Sequence, residues 1–181
     1  MDPHKTGQVL LQNDTVINVA ALLREPIGAT RKYDFAIDRF NLDENLDAVD
    51  LTGTVRLTRV SDALLVSVAG STQVTLECQR CLNEFQLPVE IAFDEQFRIA
   101  YDVRRGVEIE SEVEGIDERP EISENHELDF SEPMRQEIIL ALPMRPDCGP
   151  DCPGPPSFAD DDSDMNDQFS VLAALLDADN E

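Results

Sequence analysis

Hydrophobic and polar residues alternate along much of the chain between residues 28 and 103. From Leu87 to Val103 the odd positions are apolar except for Glu95, and the even positions are mostly polar or small. A period of two predicts strands with one buried and one solvated face. The segment is longer than a usual strand, so we expect a bend or break near Asp94 and Glu95.

Shorter segments with the same alternation come earlier in the chain. One contains Tyr33, Phe35 and Ile37, another lies around residues 54–58, and two more cover residues 64–68 and 74–76, separated near Gly70. These patterns predict an α+β fold, mainly an antiparallel β-sheet or partly closed barrel over about residues 28–103, with a few short helices.

Two segments have helical signals instead. Asn18 can cap a short helix that begins at residue 19. Ser131 can cap a second helix, in which Met134 and Ile138 fall on one face and which Pro143 ends. The second helix therefore has an apolar side that can pack on the sheet.

Charge divides the chain into two unequal parts. The formal net charge is -24, of which residues 1–105, with 11 basic and 16 acidic residues, contribute -5. Residues 106–181, with 3 basic and 22 acidic residues, contribute -19. Such a surface repels nucleic acid at long range and attracts basic proteins, although it also serves simple solubility.

The composition also indicates where the protein acts. The N-terminus lacks the charged-then-apolar pattern of a secretory signal, and no stretch approaches the roughly 18 apolar residues that span a bilayer. We therefore expect a cytoplasmic protein with no membrane partner.

We expect four regions along the chain. Residues 1–103 form a strand-rich core, and residues 104–127 form an acidic linker. Residues 128–156 supply a helix and a second cysteine pair that pack on the core. Residues 157–181 form an acidic, partly disordered tail with a short terminal helix.

The four cysteines form two close pairs. Cys78 and Cys81 are separated by two residues, and Cys148 and Cys152 by three. Two close pairs on tight turns supply the four soft ligands of a tetrahedral structural zinc site. Thiols without metal, a redox pair or disulfides are the alternatives, of which a redox pair lacks the usual βαβ setting.

Nothing in the sequence indicates catalysis. His4 and His126 are the two histidines, and neither lies near a patterned nucleophile. Arg56, Arg59 and Arg80 are candidates for a small basic face that contacts nucleic acid, although such arginines more often pair with nearby carboxylates.

The order of these features resembles the YceD-like family of large ribosomal RNA accumulation proteins. The strand-rich region is followed by Cys78 to Leu82, by the helix segment Leu128 to Pro143, by Pro146 to Cys148 and by Gln168 to Leu175. The resemblance covers about residues 8–177. It implies an acidic cytoplasmic protein that is needed for normal levels of large-subunit ribosomal RNA and has no established catalytic residues.

The sequence departs from the family pattern beside the second cysteine pair. Many members continue that pair as Cys-Lys-Gly-Leu-Cys, whereas Cys152-Pro-Gly-Pro-Pro stands here. The number of cysteines available as ligands remains four.

Together these features predict a non-enzymatic ribosome biogenesis factor with no catalytic residues. We expect it to bind a large-subunit precursor or a basic ribosomal protein, and to bind free RNA weakly or not at all. The alternative is an acidic zinc-containing adaptor or nucleic-acid mimic that acts on a DNA- or RNA-binding partner.

Overall fold

The computed structural model describes residues 9–102, 107 and 119–155. Strands predominate in this part of the chain, with two short helices. The elements in chain order are β1 (Val9–Gln12), β2 (Val16–Asn18), α1 (Ala20–Leu23), β3 (Thr30–Asp43), β4 (Leu46–Arg59), β5 (Ala63–Glu77), β6 (Glu84–Ile99), β7 (Glu121–Ile122), β8 (Glu127–Asp129) and α2 (Ser131–Ala141).

The main sheet has six strands in the order β1-β3-β4-β5-β6-β7 and curls into a half-barrel. Its four long central strands are antiparallel neighbours. The short strands β1 and β7 pair in parallel with β3 and β6. The β-rich architecture is therefore confirmed, but the sheet is mixed and not purely antiparallel.

The predicted separation of two strands near Gly70 is wrong. Strand β5 continues through Gly70, which pairs with Gly53 on one side and Ile91 on the other. The Phe35 ring lies across both glycines and supplies the apolar cover that they lack. Strand β6 also runs without a break past Asp94, because every residue from Glu84 to Arg98 keeps its register with β5.

Both helices start differently from the prediction. Helix α1 begins at Ala20 with Val19 at its N-cap, and Asn18, one residue earlier, accepts a hydrogen bond from the Ala20 N–H at 3.2 Å. At α2 the prediction that Ser131 caps the helix is wrong, because Ser131 is already helical. Its N–H donates to the Asp129 carboxylate at 2.9 Å, since an aspartate readily closes such a turn two residues ahead.

The core lies on one face of the sheet, under α1, α2 and the two-stranded sheet of β2 and β8. Met134 and Ile138 of α2 are buried in this core, as their helical spacing predicts. The Phe130 ring, just before α2, packs on Phe35 with ring centroids 6.0 Å apart. Other buried members include Leu22, Leu51, Val55, Leu57, Val66, Ile91, Phe97 and Leu128.

The predicted acidic linker, residues 104–127, contains β7 and ends at the first residue of β8. Ile122 in β7 is buried in the core. Residues 103–106 and 108–118, which include most of the first half of that linker, lie outside the described residues, as do residues 156–181 with the predicted tail and terminal helix. Neither described helix has the length and apolarity needed to cross a membrane.

A carboxylate at the start of α2 makes stability depend on pH. Hydrogen bonds from Arg135, and then from Gln136, lower the pKa of Glu132 to about 2. Because the pKa of Glu132 is lower in the folded than in the unfolded state, its ionised form stabilises the fold at pH values above the unfolded-state pKa. This stabilisation is lost as the pH falls through the folded-state pKa. We expect Glu132→Gln to lower the urea midpoint at pH 7 slightly, with the difference vanishing in acid. Glu127→Gln is the control, and a difference as large at pH 2 as at pH 7 would contradict the ionic cause.

Candidate metal centre

The first cysteine pair lies on the turn that joins β5 to β6. The Cys78 N–H donates to the Asn83 carbonyl at 2.9 Å, and the Leu82 N–H donates to the Cys78 carbonyl at 2.9 Å. Leu82 takes a positive φ of 61°, which tightens the turn. Backbone N–H groups of Cys81 and Arg80 point at the Cys78 sulfur and lower the pKa of Cys78 to about 6. The turn therefore favours a thiolate at Cys78.

The second pair lies on the loop after α2. Gly149 has a φ of 100°, and its N–H donates to the Asp147 carboxylate at 2.7 Å. The Cys152 N–H then donates to the Gly149 carbonyl at 3.2 Å and closes the turn. The proline- and glycine-rich composition thus produces the sharp turn that the spacing of Cys148 and Cys152 requires.

A backbone hydrogen bond holds the two loops together. The Gln79 N–H donates to the Pro146 carbonyl at 3.0 Å. Arg80 lies 3.5 Å from the Asp147 carboxylate and adds an ionic contact between the same loops. Asn83 and Pro146 were missed as supporting residues. Both residues contribute backbone carbonyls, so their side chains give no sequence signal for this role, and the contact at Pro146 is also non-local.

The four cysteine sulfurs converge at this junction. All four lie within 4.8 Å of one another. The Sγ atoms of Cys78 and Cys152 are 3.8 Å apart, and those of Cys81 and Cys148 are 3.7 Å apart. Zinc–sulfur bonds of about 2.3 Å place tetrahedral sulfurs about 3.8 Å apart. The sulfur positions therefore fit a tetrahedral ion, and they are too far apart for disulfide bonds of about 2.05 Å.

The electrostatics of the cluster favour a cation at its centre. Cys78 is buried and the other three cysteines are half-buried. The neighbouring Cys152 side chain, together with burial, raises the pKa of Cys148 to about 12. Several thiolates so close together repel one another unless a positive charge compensates them. A divalent ion supplies that charge and allows all four sulfurs to ionise.

The other candidate residues do not come together. Arg56 and Arg59 are three positions apart on β4 and so point to opposite faces of the sheet. The Arg59 guanidinium donates to the Glu25 carbonyl. Arg80 lies at the cysteine loops, so the three arginines do not form one basic face.

The histidines are separate from the cysteine cluster as well. His126 lies in the turn between β7 and β8, where its carbonyl accepts a hydrogen bond from the Val19 N–H at 2.9 Å. That contact gives it a backbone role in joining β8 to α1. His4 lies outside the described residues.

Comparison with known proteins shows which family this chain belongs to. The chain is 27% identical over 155 residues to uncharacterised proteins of Mycobacterium tuberculosis and Mycobacterium bovis, which covers 82% of this chain and 70% of each relative. No solved structure matches it significantly. The family profile described as large ribosomal RNA subunit accumulation protein YceD matches residues 66–176, a span that includes all four cysteines. The chain therefore belongs to the YceD family of large ribosomal RNA subunit accumulation proteins.

Proposed function

We propose that this protein is a non-enzymatic ribosome biogenesis factor that acts in the cytoplasm by binding a basic protein of the large subunit or its precursor. Family membership is the observation that carries the ribosomal context. The family name concerns accumulation of an RNA, which an assembly partner can promote by protecting the RNA within a particle.

Charge supports a protein partner over free RNA. Of the net charge of -24, residues 106–181 carry -19. Free RNA presents dense negative charge and is repelled by such a surface, most strongly at low salt. A lysine- and arginine-rich protein is attracted to the same surface, and long-range attraction speeds its association.

The cysteine cluster supports a structural role for zinc in this function. Its ligands come from two segments far apart in the sequence, the β5–β6 turn and the loop after α2. A zinc ion held by Cys78, Cys81, Cys148 and Cys152 would join these parts into one rigid body. With four sulfur ligands the ion has no open position for a substrate, as is typical of structural sites.

The proposal predicts salt-sensitive binding to isolated large-subunit proteins. We expect at least one basic large-subunit protein to bind the full-length, zinc-loaded chain at low salt, with affinity falling as salt rises. Free large-subunit ribosomal RNA should bind far more weakly. The measurement is a titration of each partner at low and high salt. Strong binding to free RNA, with no ribosomal protein retained, would overturn the proposal.

A charge variant tests whether the acidic C-terminal residues steer the partner. Neutralising Asp160, Asp161 and Asp162 to asparagine should slow association roughly threefold at low salt and leave dissociation almost unchanged. The matched control neutralises three exposed acids of the N-terminal part. These are Glu44, Asp50 and Glu77. Equal slowing in both variants would show that only total charge matters.

A further inference from the structure

One edge of the main sheet has little strand cover. Strand β6 spans sixteen residues, Glu84–Ile99, and pairs along its inner side with β5. On its outer side β7 pairs only with Arg98 and Ile99. Within the described residues, no strand covers the outer edge of β6 from Glu84 to Gln96. A row of backbone donors and acceptors on such an edge can accept another strand.

The hydrogen bonds of β6 show which residues face this edge. The Arg98 N–H points outward and donates to the Pro120 carbonyl at 2.8 Å, whereas the Ile99 N–H points inward and donates to the Asp62 carbonyl at 3.0 Å. The pairing of β5 with β6 has no register shift, so outward and inward residues alternate throughout. The outward residues upstream of Arg98 are Gln96, Asp94, Ala92, Glu90 and Pro88.

Pro88 marks one end of the open edge. It has no N–H to donate, and its outward position means that it removes no bond to β5. The four outward residues from Glu90 to Gln96 keep their N–H groups, and all four are exposed. The edge available for pairing therefore covers about seven residues, close to the length of a usual strand.

Two carboxylates lie near the Glu90 end of this edge. An open groove of about 680 Å³ runs over the middle of β5 and β6 and reaches α2, with Glu90 and Glu137 among its lining residues and no basic side chain. Neither carboxylate has an ion-pair partner within the part of the chain that the structure describes. Asp94, also outward, accepts a hydrogen bond from the Ser67 hydroxyl. Near Glu90 a partner strand therefore meets an acidic groove, whereas Asp94 also lines a second groove that contains Lys32 and Arg56.

We infer that the outer edge of β6 accepts an extended, lysine- or arginine-rich segment of a basic protein as an added strand. This inference rests on the proposed function and assigns a surface to the basic partner. The backbone groups of Glu90, Ala92, Asp94 and Gln96 supply main-chain hydrogen bonds, and Glu90 and Glu137 select basic side chains. The carboxylates and Pro88 at this edge also hinder two copies of this chain from pairing edge to edge. The experiment separates that protective role from binding of a basic segment.

Amide hydrogen exchange of the full-length, zinc-loaded protein tests the inference residue by residue. In the free protein the N–H groups of Glu90, Ala92, Asp94 and Gln96 should exchange much faster than those of the inward Ile91 and Phe93. The probe is a short synthetic peptide of alternating lysine and valine. At saturation it should slow exchange of the four outward amides roughly tenfold or more. Binding with no change at these amides would overturn the inference.

A matched peptide and a matched variant separate strand addition from simple attraction. The same peptide with N-methylated alternate residues keeps its charge but loses the donors, and it should bind much more weakly. Glu90→Gln with Glu137→Gln should weaken binding of the unmodified peptide by more than about fivefold at low salt, whereas Glu44→Gln should have little effect. Equal binding of both peptides would refute an added strand.

These experiments distinguish a failure of the inference from a failure of the proposed function. A basic ribosomal protein that binds this chain without protecting the four outward amides refutes the inference and leaves the function standing. Protection of those amides by the basic peptide, with no ribosomal protein bound in the titrations, supports the surface and refutes the function.

Discussion

Replacing Cys78 by serine is expected to weaken zinc binding severely and to lower the free energy of unfolding by about 3–4 kcal/mol. The ion would link residues 74 positions apart in sequence, Cys78 and Cys152. Closing a loop of that length is worth about 4 kcal/mol in the chain-entropy treatment of cross-links. Cys78 is also fully buried, so its replacement leaves a polar hydroxyl without the metal that its sulfur would bind.

The measurements are elemental analysis and chemical denaturation of the same preparations. Wild-type protein should carry about one zinc per chain, as a four-sulfur structural site requires. Asp151→Asn is the control, because Asp151 lies between two ligands on the same loop and is exposed. It should keep the metal and the stability of the wild type. Wild-type protein that is purified without metal, and melts identically with and without a chelator, would refute the zinc site.

The cysteine cluster shows how far local sequence can predict a site. Spacing alone identified the two pairs, because ligand turns are short and their residues are adjacent in the sequence. Spacing does not show that the two turns meet. That depends on the hydrogen bond from Gln79 to Pro146 and on the packing of α2 against β6, which are contacts between distant segments.

The strands show the same division between local and non-local information. The alternation in β6 predicted its buried face correctly, with Val89, Ile91 and Phe97 in the core. The short parallel strands β1 and β7 were not predicted. An element of two to four residues contains too little periodicity to recognise, and its pairing partner lies far away in the sequence.

The middle of β5 was misjudged for a third reason. A glycine with small polar neighbours is typical of a turn, so Gly70 was expected to end a strand. In the fold the absence of a side chain is what allows Phe35, from β3, to lie over β5. Glycine in a strand then marks a close approach, which only the tertiary structure distinguishes from a break.

The close packing of Gly53 against Phe35 and β5 predicts a large effect of substitution. Gly53→Ala is expected to lower the free energy of unfolding by about 3 kcal/mol, the upper end of the usual cost of overpacking. An added Cβ at Gly53 would lie 2.3 Å from the Ala69 carbonyl oxygen, 2.6 Å from Cζ of Phe35 and 2.7 Å from the Gly70 Cα. Two of these three atoms belong to the backbone of β5, which pairs with strands on both sides and cannot move without breaking them.

Urea denaturation of matched variants checks this prediction and its cause. Thr54→Ala, at the next position of β4 on the exposed face, should change the stability by less than about 0.5 kcal/mol. If the Phe35 ring were the only obstacle, Gly53→Ala would cost no further stability in a Phe35→Ala background, which itself costs about 3–5 kcal/mol. We expect the double variant to be less stable than the Phe35→Ala single variant, because the Ala69 carbonyl remains in the way. A Gly53→Ala protein as stable as the Thr54→Ala control would show that the strands separate easily here, contrary to the packing described.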